Sequence, residues 1–175
     1  MCPDGTSVSR TGSSCNFPVC PPPNVSLSSV AVAFAIPDGF SSAELPDATS
    51  LAAYELSAAT STNTASIIIR RYELTSSSTA LDTIRATAIS GSSGAPVGQT
   101  LFSSASVAGR TFTTVPIERF EGVIDTAYYL RHGTDLLRFD AIDREVNNWT
   151  DPNLVVGALP AHAALVKLLS TLQGQ

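Results

Sequence analysis

The densest group of residues able to do chemistry is Asp140-Ala-Ile-Asp143-Arg-Glu145-Val-Asn147-Asn148-Trp149-Thr-Asp151-Pro-Asn153. Carboxylates and amides at this density suit a hard cation, but the spacing is not that of an EF-hand loop. Trp149, the only tryptophan, offers a face on which a sugar ring could stack, with Asn147, Asn148 and Asp151 supplying hydrogen bonds. These four residues form the candidate ligand-binding set. The competing reading makes Trp149 an anchor for the loop that leads to the last element of the chain. Only two histidines occur, His132 and His162. A His-rich catalytic metal site is therefore not expected, and neither metal nor cofactor is assigned. Serine is plentiful, but no Gly-x-Ser-x-Gly elbow accompanies it, so a Ser-His-Asp arrangement has no sequence support.

The other motif is Leu130-Arg131-His132-Gly133-Thr134. It resembles the Arg-His-Gly signature of the histidine phosphatase superfamily, in which a His takes up the phosphoryl group and Arg residues cradle its oxygens. The resemblance covers five residues and implies a hydrolase built on His132, with His162 as the second histidine. That family carries its signature near the start of an α/β domain, whereas here the preceding chain reads as β. The plainer reading is a turn between two strands.

Composition narrows the function classes. Of the 175 residues 43% are hydrophobic and only 14% charged, with a net charge of −5. Ser and Thr fill roughly a quarter of the chain, a surface chemistry that suits strands rather than helical bundles. Lys167 is the single lysine, and the arginines are scattered apart from Arg70–Arg71. No concentrated basic face is present, which argues against nucleic acid and anionic membranes as partners. No apolar run approaches the ~20 residues that span a bilayer. Met1-Cys-Pro-Asp4 does not read as a secretory leader. Two glycosylation sequons are present, Asn24-Val-Ser26 and Asn148-Trp-Thr150.

Cys2, Cys15 and Cys20 all fall in an N-terminal arm, residues 1–24, that also carries Pro21-Pro-Pro23. A disulfide between two of them would pin the arm and leave the third free or open to a bridge with another copy. Zinc has little support without a nearby His or fourth thiol.

The elements that position these residues are read as β. Strand runs are expected over 25–36, 67–74, 81–89, 100–107, 111–117, 123–130 and 136–142, with 51–56 ambiguous. Pro37-Asp-Gly39, Ser76–Ser78, Gly91–Gly94, Gly109 and Arg131–Thr134 mark the turns. This spacing predicts a β-sandwich over 25–151, jelly-roll or immunoglobulin-like. Residues 152–175 form a loop and then an amphipathic helix. Pro160 takes its first position, and Ala161, Ala164, Leu165, Leu168, Leu169 and Leu172 make its apolar stripe. The expectation that follows is a non-enzymatic structural or assembly subunit of a virion, phage particle or extracellular fibre, with copies of itself as partners. A carbohydrate-binding or adhesion module using Trp149, Tyr128 or Tyr129 is the alternative, and a hydrolase around His132 ranks last.

Overall fold

The computed structural model describes residues 23–56 and 64–174. Cys2, Cys15 and Cys20 lie outside the described residues, and with them the disulfide and zinc questions.

Among the described residues nine strands form two antiparallel sheets. The hairpin β1 (Val25–Leu27) and β2 (Val32–Phe34) stands apart. The main sheet contains β3 (Phe40–Ser42), β4 (Ser50–Leu56), β5 (Ala65–Glu73), β6 (Ser103–Val107), β7 (Arg110–Phe120), β8 (Val123–His132) and β9 (Asp135–Asp143). Its order is β3-β4-β5-β9-β8-β7-β6. Two α-helices accompany the strands among the described residues, α1 (Ala80–Thr87) and α2 (Pro160–Thr171).

The mostly β class with a C-terminal helix is as expected from the sequence. Over one face of the seven-stranded sheet lies a layer made by the β1–β2 hairpin and α2. Here Phe34, Leu165, Leu168 and Leu169 meet Ile67, Ile69, Phe112, Leu137 and Phe139, all fully buried. α1 covers part of the opposite face through Ile84 and Ala88, packed against Val115, Ile117, Ala127, Tyr129 and Leu136.

Two segments depart from the sequence reading. The run 25–36 is not one strand: the chain reverses through a 3-10 turn at Ser28–Val30, with Ala31 at φ +51°. Residues 81–89 are not a strand. Thr79 and Asp82 form a reciprocal capping box, with Asp82 N donating to Thr79 Oγ1 at 3.2 Å and Thr79 N to Asp82 Oδ2 at 3.2 Å. The apparent alternation of Leu81, Thr83 and Arg85 conceals a helical pair, Ile84 and Ala88, that is buried.

The hairpin turns follow local chemistry. Ala108-Gly109 and Glu121-Gly122 have positive φ at both positions, the type I′ geometry whose twist matches the flanking strands. Arg131–Thr134 is, as its turn reading has it, the tip of the β8–β9 hairpin, with His132 opposite Asp135.

α2 has twelve residues, with Pro160 first as expected, and it docks on its own sheet. The chain end then closes on the hairpin. Ala33 N donates to Gln173 O at 3.0 Å and Gln173 N to Ala33 O at 2.7 Å. Gly174 follows at φ +112°, where a Cβ would lie 2.3 Å from Ala31 O. Only glycine fits there.

Candidate functional site

The residues nominated by sequence are not gathered into one site. Asp140 and Asp143 are three apart on β9 and therefore face opposite sides of the sheet. Asn147, Asn148, Trp149 and Asp151 share the loop after β9, where both asparagines are exposed. Trp149 is partly buried, its ring edge-on to Phe120 with centroids 6.0 Å apart. Arg119 on β7 clamps the loop by donating Nε to Trp149 O at 2.6 Å and Nη2 to Asp151 O. The Asp151 carboxylate accepts from Asn153 N at 2.9 Å. This is the geometry of an anchored loop, and it leaves Phe120, 46% exposed, beside the indole.

The two histidines lie far apart. His132 closes β8 at the hairpin tip. His162, on α2, bonds Thr126 six residues back along β8, a distance of roughly 20 Å at the rise of a strand. The pair implied by the phosphatase resemblance is not brought together. Among the described residues no group of three or more His, Cys, Asp or Glu is placed to hold a metal ion.

On the α2 face the sheet holds a relay that the sequence does not announce. His162, 2% exposed, lies with Nδ1 2.7 Å from Asp143 Oδ2 and Nε2 2.9 Å from Thr126 Oγ1. A carboxylate only accepts, so the Nδ1–H donates to Asp143. The order Asp–His–hydroxyl has the form of a nucleophilic triad. Thr126 lines neither the groove of about 410 Å³ between α2 and Phe40 nor the cleft of about 450 Å³ at the hairpin tips. What Asp143 does instead is cap α2. Leu159 at the N-cap has no side-chain acceptor, and Asp143 Oδ1 accepts from Ala161 N at 2.9 Å. The relay is a latch between strand and helix.

The opposite face carries a charge network. Asp140, 0% exposed, accepts from Arg138 Nε at 2.7 Å and from Arg70 Nη1. Arg70 also donates Nε to Asp47 Oδ2 at 2.9 Å. Arg138 donates to Thr87 O at the end of α1 and lies over the Tyr129 ring, 5.6 Å from its centroid. Desolvation opposes the charge on Arg138, but Asp140, Tyr129 and Asp125 together outweigh it and the net pKa is raised. Burial pushes the Tyr129 hydroxyl up to about 12. Charged residues at the inward positions of strands, in phase with buried neighbours, are the sequence signal that marks this cluster.

Asp125 is its unbalanced member. The residue is partly exposed, yet Oδ1 is sealed from solvent and has no hydrogen-bond partner. Burial pushes its carboxyl well above the usual range and Asp140 adds to this, against the opposing pull of Arg138, Arg70 and Arg144. Glu118, opposite it on β7, is occupied by Ser90 and Ser92. A carboxyl whose folded pKa is raised supports the fold below its unfolded value of about 3.9, and that support is lost as pH rises through the folded value. Asp125→Asn, which cannot ionise, should therefore stabilise the protein by about 1–3 kcal/mol at alkaline pH. The gain should shrink as the medium is acidified. Urea unfolding across the acid-to-alkaline range measures this; a variant less stable than the parent under alkaline conditions would show that Asp125 is ionised and paired.

The last feature is an open edge. At one end of the sheet β3 is three residues long, a length that blunts pairing. At the other end β6, Ser103-Ser-Ala-Ser-Val107, has neither charge nor proline, and Leu101 just before it is 56% exposed. The closing pair of its hairpin, Val107 and Arg110, fixes the phase. Ser104 and Ser106 direct their backbone groups away from β7.

No model of a known family matches the sequence, and no curated protein is significantly similar to it. A crystal structure from Bacteroides thetaiotaomicron VPI-5482 is similar with a TM-score of 0.47 at 10% identity, over 82% of this chain and 45% of that one. The present chain spans less than half the length of that protein.

Proposed function

We propose that the protein is a non-enzymatic structural subunit that assembles edge to edge through β6, in a virion, phage particle or extracellular fibre. The observation that carries this reading is the uncharged, uncovered β6 edge in a fold that blunts its other edge. Two β6 strands related by a twofold axis pair antiparallel with the same groups on both sides, an isologous contact. The low charge and abundance of hydroxyls leave little electrostatic repulsion between copies. Because α2 is docked on its own sheet, the reading rests on the edge and not on an exchanged helix.

Sedimentation from micromolar to millimolar concentration tests it. The parent should associate with concentration, and Ser104→Pro, which deletes an outward N–H, should remain monomeric at unchanged melting temperature. A parent that is monomeric throughout overturns the proposal. A second reading, a glycan-binding surface, draws on the Phe120–Trp149 ring pair beside exposed Asn147 and Asn148. Glycan-array binding that Trp149→Ala abolishes would support it, and an array without signal would count against it.

A further inference from the structure

The edge strand β6, Ser103-Ser-Ala-Ser-Val107, is built symmetrically about its own centre. Its residues with N–H and C=O turned away from β7 are Ser104 and Ser106, one on each side of Ala105. Both are exposed, and among the described residues neither hydroxyl has a partner. The pleat assigns the faces. Val107 packs into the core that α2 covers, so Ser103 and Ala105 share the α2 face while Ser104 and Ser106 lie on the other. Ser103 is already engaged there, its hydroxyl 2.6 Å from Thr114 Oγ1. No side chain of β6 is charged or larger than valine.

In an antiparallel ladder outward-turned residues must face outward-turned residues. Few registers between two β6 strands satisfy this. With Ser104 opposite Ser104, the next pair calls on the Phe102 N–H, which already donates to Gln99 O at 3.0 Å. With Ser106 opposite Ser106, the next pair falls on Ala108, at φ +49° in the hairpin turn. With Ala105 at the centre, Ser104 of each copy faces Ser106 of the other and every outward group of both residues is used.

We infer that the partner of β6 is the β6 of a second copy, joined in the register centred on Ala105. A twofold axis perpendicular to the sheet passes between the two Ala105 residues, and the two main sheets become one continuous sheet. Such an axis keeps α2 on the same face of both copies. The inference rests on the reading of β6 as the assembly edge and fixes its register. Small side chains then meet small ones. Ala105 faces Ala105 on the α2 side as a pair outside the hydrogen-bonded rings, with Cα atoms about 4.5 Å apart. On the other side a Ser104 hydroxyl stands opposite a Ser106 hydroxyl, each able to donate to the other. A strand of another sequence could use the same backbone groups, but β6 itself matches them on both sides of the axis.

Disulfide trapping tests the register, in the full chain with Cys2, Cys15 and Cys20 each replaced by Ser so that only an introduced thiol reacts. Ala105→Cys, Ser104→Cys and Ser106→Cys are oxidised briefly with copper–phenanthroline, at a concentration where sedimentation shows association and at melting temperatures that show each variant folded. Ala105→Cys should give roughly tenfold more linked dimer than either serine variant alone, because a disulfide needs Cα atoms about 4.4–6.8 Å apart. Ser104 lies diagonally from its own counterpart, about 7–8 Å away, and so does Ser106. Ser104→Cys mixed with Ser106→Cys should link, since those positions face each other at about 5.5 Å. More dimer from Ser104→Cys or Ser106→Cys alone than from Ala105→Cys overturns the centring on Ala105. So does an Ala105→Cys protein that associates without linking. In both cases the edge itself is judged separately, by whether Ser104→Pro abolishes association. A protein that never associates overturns the register and the edge together.

Discussion

Replacement of Asp140 by Ala should lower the free energy of unfolding by about 3–5 kcal/mol, the cost of breaking a buried ion pair from one side. Asp140 lies on β9, the central strand, where all nine residues are buried. Its carboxylate receives Arg138 from its own strand and Arg70 from β5. Without it Arg70 retains Asp47. Arg138, 7% exposed, is left without an ion pair, keeping Thr87 O, the face of Tyr129 and the field of Asp125 for a charge that cannot be shed. The penalty is therefore set by the stranded guanidinium and not by the carboxylate removed. This distinguishes it from loss of packing: combining Asp140→Leu with Arg138→Met, which takes both charges away, should recover most of the stability. Urea unfolding of the two variants provides the comparison. A loss below about 1 kcal/mol in Asp140→Ala would show that Arg138 is hydrated where it stands.

What the sequence makes legible follows from how local each determinant is. α2 is readable because Pro160 and its leucines state both its start and its apolar face within twelve residues. The β8–β9 hairpin is readable because Gly133 interrupts two apolar runs. α1 is hidden by an alternation that fits a strand equally well, and is decided by a capping box and by what Ile84 and Ala88 touch across the sheet. The charged cluster is the instructive case. Asp140, Asp143, Asn147 and Asp151 are close in sequence and read as one polar site, but the pleat sends Asp140 to the Arg138 face and Asp143 to the α2 face. Their partners, Arg70 and His162, come from elements 70 residues upstream and 19 downstream, and no local pattern contains that pairing. The β6 edge is hidden for a similar reason, since strand order is set by the whole sheet.

Asp143→Ala should cost about 3 kcal/mol, because one side chain performs two tasks. Its Oδ1 satisfies the Ala161 N–H that Leu159 cannot cap, a contribution of about 1 kcal/mol. Its Oδ2 holds the His162 ring, and a buried hydrogen bond to a charged acceptor contributes about 1.5–3 kcal/mol. Asp143→Asn retains one acceptor oxygen and should recover part of the loss. Thr126→Val, which removes only the hydroxyl at His162 Nε2, should lose about 1 kcal/mol. The ordering Ala, then Asn, then the Thr126 variant is what a latch requires, with the deepest loss at the residue that touches both helix and histidine. Hydrogen exchange locates the effect. The amides of α2 should lose protection before those of β5 and β9, since the helix is held at its start by Asp143 and along its length by Leu165, Leu168 and Leu169. Equal stability of all three variants, or loss of protection spread evenly over the sheet, would mean that the apolar stripe alone docks the helix. The polar relay would then be a passenger in a site that packing has already closed.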